Sequence, residues 1–198
     1  MKKPFILGLT GSIGMGKSTV SAMLRELGVP VFDADAAVHA LQGPGGALLP
    51  MIEAEFPGTT GPGGVDRIKL GAAVFGDAAR LKRLEEIVHP AVGAMRAGFL
   101  EENAGASLIV FDIPLLFEKG SFHMIDAVAV VSAPAEEQRA RVMARPGMTE
   151  EKFAQILGLQ VPDAEKRARA DYVIDTGCSL AETRPQVAAL VKKLKAHE

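Results

Sequence analysis

The sequence predicts an α/β fold: a doubly wound, parallel, five-stranded sheet with a helical substrate-binding insertion and a short helical lid. Three observations predict it. Several short apolar segments do not alternate with polar residues, as expected for strands buried on both faces. Segments with helical periodicity lie between most of them, which implies parallel strands joined by crossovers. Finally, Gly11-Ser12-Ile13-Gly14-Met15-Gly16-Lys17-Ser18 matches G-x-x-x-x-G-K-[ST], between an apolar run and a helical segment.

The first strand is the apolar run Phe5-Ile6-Leu7-Gly8-Leu9. The loop after it is a phosphate-binding P-loop, which makes the sheet of P-loop NTPase type. Glycines let its backbone take φ > 0 and bring N–H groups close to phosphate oxygens. The helix expected from Ser18 to Leu27 adds positive partial charge at the same spot. Lys17 can then reach the β- and γ-phosphates, and Ser18 can hold Mg²⁺. The candidate nucleotide-binding set is Gly11, Ser12, Ile13, Gly14, Met15, Gly16, Lys17, Ser18 and Thr19.

The remaining strands are expected at Val29 to Asp33, Ser107 to Asp112, Asp126 to Val131 and Tyr172 to Asp175. Ligands of such sheets bind outside the carboxyl ends of the strands. Residues that end the first three strands should therefore converge near the P-loop. Asp33-Ala34-Asp35 ends the second strand, and transfer of a phosphoryl group to a hydroxyl needs a carboxylate there. If the strand stays extended, both side chains share a face. Alternatively, one of them caps the next helix. Asp112 ends the third strand and either reaches Mg²⁺ or serves as a cap or turn residue before Pro114.

From Asp35 to Ser107 the chain runs roughly seventy residues, against the ~12 that a crossover requires. Gly43-Pro44-Gly45-Gly46 and Pro57 to Gly64 read as loops around a short helix. Leu81, Leu84, Val88, Met95 and Phe99 keep helical spacing, broken by Pro90. This mostly helical insertion is expected to bind substrate beside the nucleotide site; the alternative is a structural elaboration of one edge of the sheet.

In the last third, Pro134 opens a helix to about Arg145, and Thr149 caps the next. Arg139, Arg141 and Arg145 are expected on the first of these helices, with Arg141 and Arg145 sharing a face. Guanidinium groups suit the spread charge of a transferring phosphoryl, although an arginine on a helix is also commonly a solvated surface charge. Pro146-Gly147 permits a hinge beside them. Ser179 and Glu182 form a capping-box pattern for a last helix that buries Val187, Leu190, Val191 and Leu194.

Composition narrows the function further. The 198 residues carry a net charge of −2, with no electrostatic case for nucleic acid or an anionic membrane. Trp is absent and Tyr172 stands alone, so no aromatic stacking platform is expected. Cys178, the single cysteine, reads as a buried small residue rather than a nucleophile; standing alone, it excludes an internal disulfide and suits a cytoplasmic location. Met1-Lys2-Lys3-Pro4 starts like a signal peptide, but Thr10-Gly11-Ser12 ends the apolar run too early. His39, His89, His123 and His197 lack metal-ligand spacing. Asn103 is the only asparagine, and no Asn-Lys-x-Asp guanine reader exists. A metabolite kinase, a nucleotide kinase and a nucleotide-switched binding module all remain open on these grounds.

Taken together, the chain resembles the dephospho-CoA kinase family over nearly its whole length. The similarity rests on Gly8 to Ser18, Asp33-Ala34-Asp35, Asp66-Arg67 to Leu70, Val74-Phe75 and Leu84 to His89-Pro90. It continues in Pro114-Leu115-Leu116-Phe117-Glu118, Arg141 to Arg145, Gly147-Met148-Thr149, Gln160 and Ala170 to Asp175. The Pro-Leu-Leu-Phe-Glu run and the His-Pro pair are its most distinguishing parts. Ser12 stands where glycine is common in this loop, which a negative φ accommodates. Thr176 stands where Asn often follows Ile-Asp.

The resemblance implies ATP-dependent phosphorylation of the ribose 3′-hydroxyl of dephospho-CoA, the last step of coenzyme A synthesis. It implies Lys17 as the phosphate-binding lysine, Asp35 as general base and Arg145 as the lid arginine, with Arg141 as helper on the nucleotide. Asp33, Asp35, Arg67 and His89 would contact substrate, and Ser18 and Asp112 would face Mg²⁺. The nucleotide-binding core is expected over residues 1–35, 107–135 and 170–198. The helical substrate subdomain would be 36–106 and the lid region 136–169. A monomer or weak homo-oligomer acting on a small molecule is expected, with no nucleic-acid or membrane partner.

Overall fold

A computed structural model describes residues 3–120 and 122–196. Met1 and Lys2, at the signal-like start, and His197 lie outside the described residues. The chain divides into two compact units, one of residues 1–32 and 103–198, the other of residues 33–102.

The first unit is built on a sheet of β1 (Phe5–Thr10), β2 (Val31–Asp33), β5 (Leu108–Asp112), β6 (Ala127–Ser132) and β7 (Tyr172–Asp175). Their order is β2-β5-β1-β6-β7, with β1 parallel to β5 and β6, and β6 parallel to β7. Five strands appear where five apolar runs predict them, with small shifts at their ends. β2 starts at Val31 rather than Val29. Pro30 has no N–H to give a ladder, although its carbonyl accepts from Val110 N–H at 2.9 Å.

Burial on both sheet faces explains why the strands do not alternate. Leu7, Leu9, Leu108, Val110, Ala129 and Val131 point to one face. There they pack with Val20, Met23 and Leu24 of α1 (Lys17–Glu26) and with Val187, Leu190, Val191 and Leu194 of α10 (Leu180–Lys195). Val128 and Val130 point the other way, against Leu116 and Phe117 of α6 (Leu116–Lys119). Three further helices complete the unit: α7 (Ala135–Met143), α8 (Glu150–Gly158) and α9 (Asp163–Ala168). Thr149 caps α8 by accepting from Lys152 N–H. The Glu182 carboxylate accepts from both the N–H and the hydroxyl of Ser179 at the start of α10.

Two expectations fail here. α7 ends at Met143 with Ala144 as its cap, so Arg145 is off the helix and shares no helical face with Arg141. Arg145 precedes Pro146, whose ring disfavours helical backbone at the preceding residue. Cys178, expected as a buried small residue, is half-buried instead.

The second unit contains α2 (Ala34–Gln42), α3 (Leu49–Glu55), the hairpin β3 (Thr60–Gly61) and β4 (Gly64–Val65), α4 (Arg67–Val74) and α5 (Ala78–Glu102). Leu41, Leu48, Ile52, Phe56, Leu70 and Ile87 form its core. The hairpin occupies part of the Gly/Pro stretch expected to be loop. α5 runs on through Pro90 instead of breaking there. Leu84 and Val88 before the proline and Ala91 and Val92 after it pack on one core, and this packing outweighs the lost helix bond. Leu81 and Met95 share the helical spacing but are exposed.

Candidate functional site

The P-loop leaves β1 and enters α1, and its conformation depends on two glycines. Gly14 has φ +78° and Gly16, which caps α1, has φ +83°. Among the described residues, none other than glycine takes positive φ, so Ser12 fits the loop without strain. A Cβ on Gly14 would lie 2.5 Å from Val142 Cγ2 and 2.9 Å from Gln138 O. Gly14→Ala is therefore expected to destabilise the protein by at least the ~1–2 kcal/mol of a left-handed non-glycine residue. A lowered unfolding midpoint with weaker nucleotide binding checks this.

The tip of the loop is held by side chains distant in sequence. Ile13 N–H donates to Gln160 Oε1 at 3.1 Å, and Gln138 Nε2 donates to Ile13 O at 2.7 Å. Thr176 Oγ1 donates to Met15 O at 2.6 Å. Lys166, which is wholly buried, donates to Ser12 Oγ at 3.2 Å and pairs with Glu118 Oε1 at 2.8 Å. The N–H groups of Lys17 and Ser18, in the first turn of α1, have no acceptor within the helix. They give the site donors and positive partial charge for an anion.

Lys17 pairs with Asp112 at the carboxyl end of β5, where Asp112 is 2% exposed. Asp112 thus faces the P-loop lysine. Among the described residues, no group of three His, Cys, Asp or Glu side chains could hold a metal unaided. Ser18 and Asp112 offer hard oxygen donors, the kind that Mg²⁺ takes.

The arginines have separate fates. Arg139 pairs with Glu150, tying α7 to the start of α8. Arg141 donates to Thr176 O at 2.6 Å, so it is anchored beside the residue that holds Met15. Arg145 is exposed, and its guanidinium has no side-chain partner among the described residues.

In the second unit, Asp33 ends β2 and caps α2, its carboxylate accepting from Ala36 N–H at 2.9 Å. Asp35 lies in the first turn of α2 and is exposed. The strand does not reach Asp35, so the two carboxylates share no strand face. The helix begins at Ala34 because an Asp cap satisfies an otherwise unpaired N–H. His39, four residues beyond Asp35 and on the same face of α2, meets Arg67 at 2.8 Å through Nδ1. His89 is exposed on α5.

Sequence reasoning missed His39 as a partner of Arg67, although its spacing from Asp35 was a usable signal. It also missed the roles of Gln138, Lys166 and Thr176 in holding the loop. Glu118 and Gln160 stood within segments already singled out, without an assigned contact.

The Glu118 carboxyl is held below its ordinary range. Burial alone would raise it, but the Lys166 bond, the N–H groups of Glu118 and Val161 and the Lys166 charge outweigh burial. A group with a depressed folded value contributes stability that is lost as pH falls through that value. The urea midpoint should therefore fall on acidification through the carboxylate range, and Glu118→Gln should flatten part of that fall. Equal slopes for the two proteins would contradict this.

A family model described as dephospho-CoA kinase matches residues 5–182. A dephospho-CoA kinase of Novosphingobium aromaticivorans is 72% identical over 195 residues, covering 98% of this chain and 97% of that protein. The crystal structure of TT1252 from Thermus thermophilus is similar with 40% identity and a TM-score of 0.81, covering 98% of this chain and 99% of that one. A dephospho-CoA kinase structure from Campylobacter jejuni has 25% identity and a TM-score of 0.63, over 96% of each chain.

Proposed function

The chain belongs to the dephospho-CoA kinase family, and from that premise we propose that it moves the γ-phosphoryl of ATP to the ribose 3′-hydroxyl of dephospho-CoA. The products are coenzyme A and ADP. The observation that carries this reading is Lys17, held by Asp112 in a phosphate loop at the carboxyl edge of a parallel sheet.

Loop residues Gly11 to Thr19 bind the ATP phosphates through N–H groups and Lys17. Ser18 and Asp112 would hold Mg²⁺, which spreads the charge on the phosphates when bound. Lys17 then exchanges its contact with Asp112 for one with phosphate oxygens. Asp35 takes the proton of the 3′-hydroxyl as that oxygen attacks γ-phosphorus, and the bond to the β,γ-bridging oxygen breaks. Asp33 shapes the turn that presents Asp35. Residues 36–106 serve as the acceptor subdomain, where Arg67, oriented by His39, and His89 bind dephospho-CoA. Residues 136–169 serve as the lid, with Arg141 on the nucleotide side. The single cysteine and the use of ATP fit a cytoplasmic enzyme.

Arg145, exposed and without a side-chain partner among the described residues, supplies charge to the transferring phosphoryl when the lid closes and water is excluded. Arg145→Ala should lower kcat more than it weakens binding of either substrate, because that charge develops in the transition state. A raised KM for ATP with unchanged kcat would make Arg145 a ground-state contact.

ADP release measured with ATP, Mg²⁺ and a panel of dephospho-CoA, AMP, CMP, adenosine or no acceptor tests the whole reading. Turnover is expected with dephospho-CoA alone. Turnover with AMP or CMP would make the protein a nucleotide kinase. Hydrolysis without any acceptor would favour a nucleotide-driven switch.

A further inference from the structure

A lysine with no exposed surface needs a physical reason. Lys166 is wholly buried on α9, paired with Glu118 of α6. Buried ion pairs are poor stabilisers, since apolar residues of similar volume do as well or better. The fold alone therefore gives little reason for this pair. Its other contact does: Lys166 Nζ donates to Ser12 Oγ at 3.2 Å, on the second residue of the phosphate loop.

Ser12 starts a turn within that loop, its carbonyl accepting from Met15 N–H at 3.1 Å. The next residue, Ile13, is held through both backbone groups by Gln160 and Gln138. The segment from Gln160 to Lys166 thus grips the loop at two adjacent residues. The same segment is anchored elsewhere. Val161 N–H donates to Glu118 Oε1 at 2.9 Å, and Ser132 Oγ donates to Asp163 Oδ2 at 2.7 Å at the end of β6. Glu118 Oε1 accepts from both Lys166 and Val161, whereas its Oε2 is buried without a partner among the described residues. The carboxylate therefore orients Lys166 towards Ser12 through one oxygen.

We propose that Lys166, aimed by Glu118, is a positioning residue of the nucleotide site that fixes Ser12 and so keeps the loop N–H groups directed at the phosphates of ATP. The inference rests on the reading of this loop as the ATP site. Lys166 touches no phosphate; it acts through Ser12. Its loss loosens the ground-state cradle, so ATP binding suffers before the chemical step does.

The test compares wild type, Ser12→Ala and the double variant Lys166→Met/Glu118→Gln. Ser12→Ala removes the link and leaves the ion pair intact. The double variant removes both charges together, which avoids stranding a buried carboxylate. ATP affinity is measured calorimetrically without acceptor, with the unfolding midpoint and steady-state constants alongside. Both variants should remain folded, with an unfolding midpoint lowered modestly by the lost buried hydrogen bond, and bind ATP about tenfold more weakly. KM for ATP should rise by the same factor, while kcat and KM for dephospho-CoA change little. Wild-type ATP affinity in folded Ser12→Ala overturns the proposal, whatever the double variant does. If the double variant fails to fold, Ser12→Ala decides alone. A wild-type protein that binds no ATP overturns the nucleotide site itself, and this proposal with it.

Discussion

Lys17→Ala is expected to lower kcat by about 10²–10³-fold, or about 3–4 kcal/mol of transition-state stabilisation. In the proposed mechanism the ammonium is the phosphate-facing cation of the loop, and its effect grows as charge shifts towards the bridging oxygen. The structure adds a second consequence. Asp112 is 2% exposed and pairs with Lys17, whose side chain is 20% exposed. Removing the lysine leaves a buried carboxylate without that cation. Such a loss costs about 3–5 kcal/mol at full burial, so the low end applies to this partly open pair. Rate and stability should fall together in the single variant. Lys17→Met/Asp112→Asn removes both charges and should bring the unfolding midpoint back towards wild type. Its kcat should stay low, because no cation then faces the phosphates. A folded double variant with near wild-type kcat would mean that Lys17 serves the fold and not the reaction.

The same pair shows what can be read from a sequence. Lys17 was legible because the strand, the glycines and the helix that give it meaning are its chain neighbours. Asp112 was legible only as an acidic residue ending an apolar run, with two open roles. Its pairing with Lys17 requires β1 and β5 to lie side by side, and that depends on sheet order. Caps at Thr149 and Ser179 were legible because capping is decided within four residues. Pro90 misled, because a local rule met a helix whose packing on both sides of the proline is tertiary. Arg145 misled in the opposite sense, since helical spacing was extended into a residue that Pro146 takes out of the helix.

Lys166 was hidden more deeply. It sits in Asp163-Ala164-Glu165-Lys166-Arg167-Ala168-Arg169, which reads as a solvated, charged helix. Arg169, three residues on, is paired with Glu165 at the surface, while Lys166 is buried. Only the positions of Glu118 and Ser12, far off in the chain, separate the two. Gln138 and Gln160 escaped for a related reason: each bonds the backbone of Ile13, and backbone atoms leave no mark in a sequence pattern.

Asp35→Asn is the second large effect, expected to slow single-turnover phosphoryl transfer by ~10²–10⁴-fold, the range of general base catalysis. The ribose hydroxyl is a weak acid and needs its proton drawn away as it attacks. Asn keeps the shape of the side chain and cannot accept that proton. Asp35 is exposed in the first turn of α2, where a carboxylate gains about 0.3–1 kcal/mol from the helix N-terminus. The unfolding midpoint should therefore move little, and ATP affinity should not change. Asp33 supplies the contrast. Its carboxylate caps α2 at Ala36 N–H, and Asn caps nearly as well, so Asp33→Asn should be mild in both rate and stability. Asp33→Ala removes the cap and should cost about 0.5–2 kcal/mol of stability. The three variants together separate a base from a cap: one loses rate with its fold intact, one loses stability, and one loses little of either. If Asp33→Asn abolished transfer and Asp35→Asn did not, the base would be the capping residue, and α2 would have to release it before each turnover.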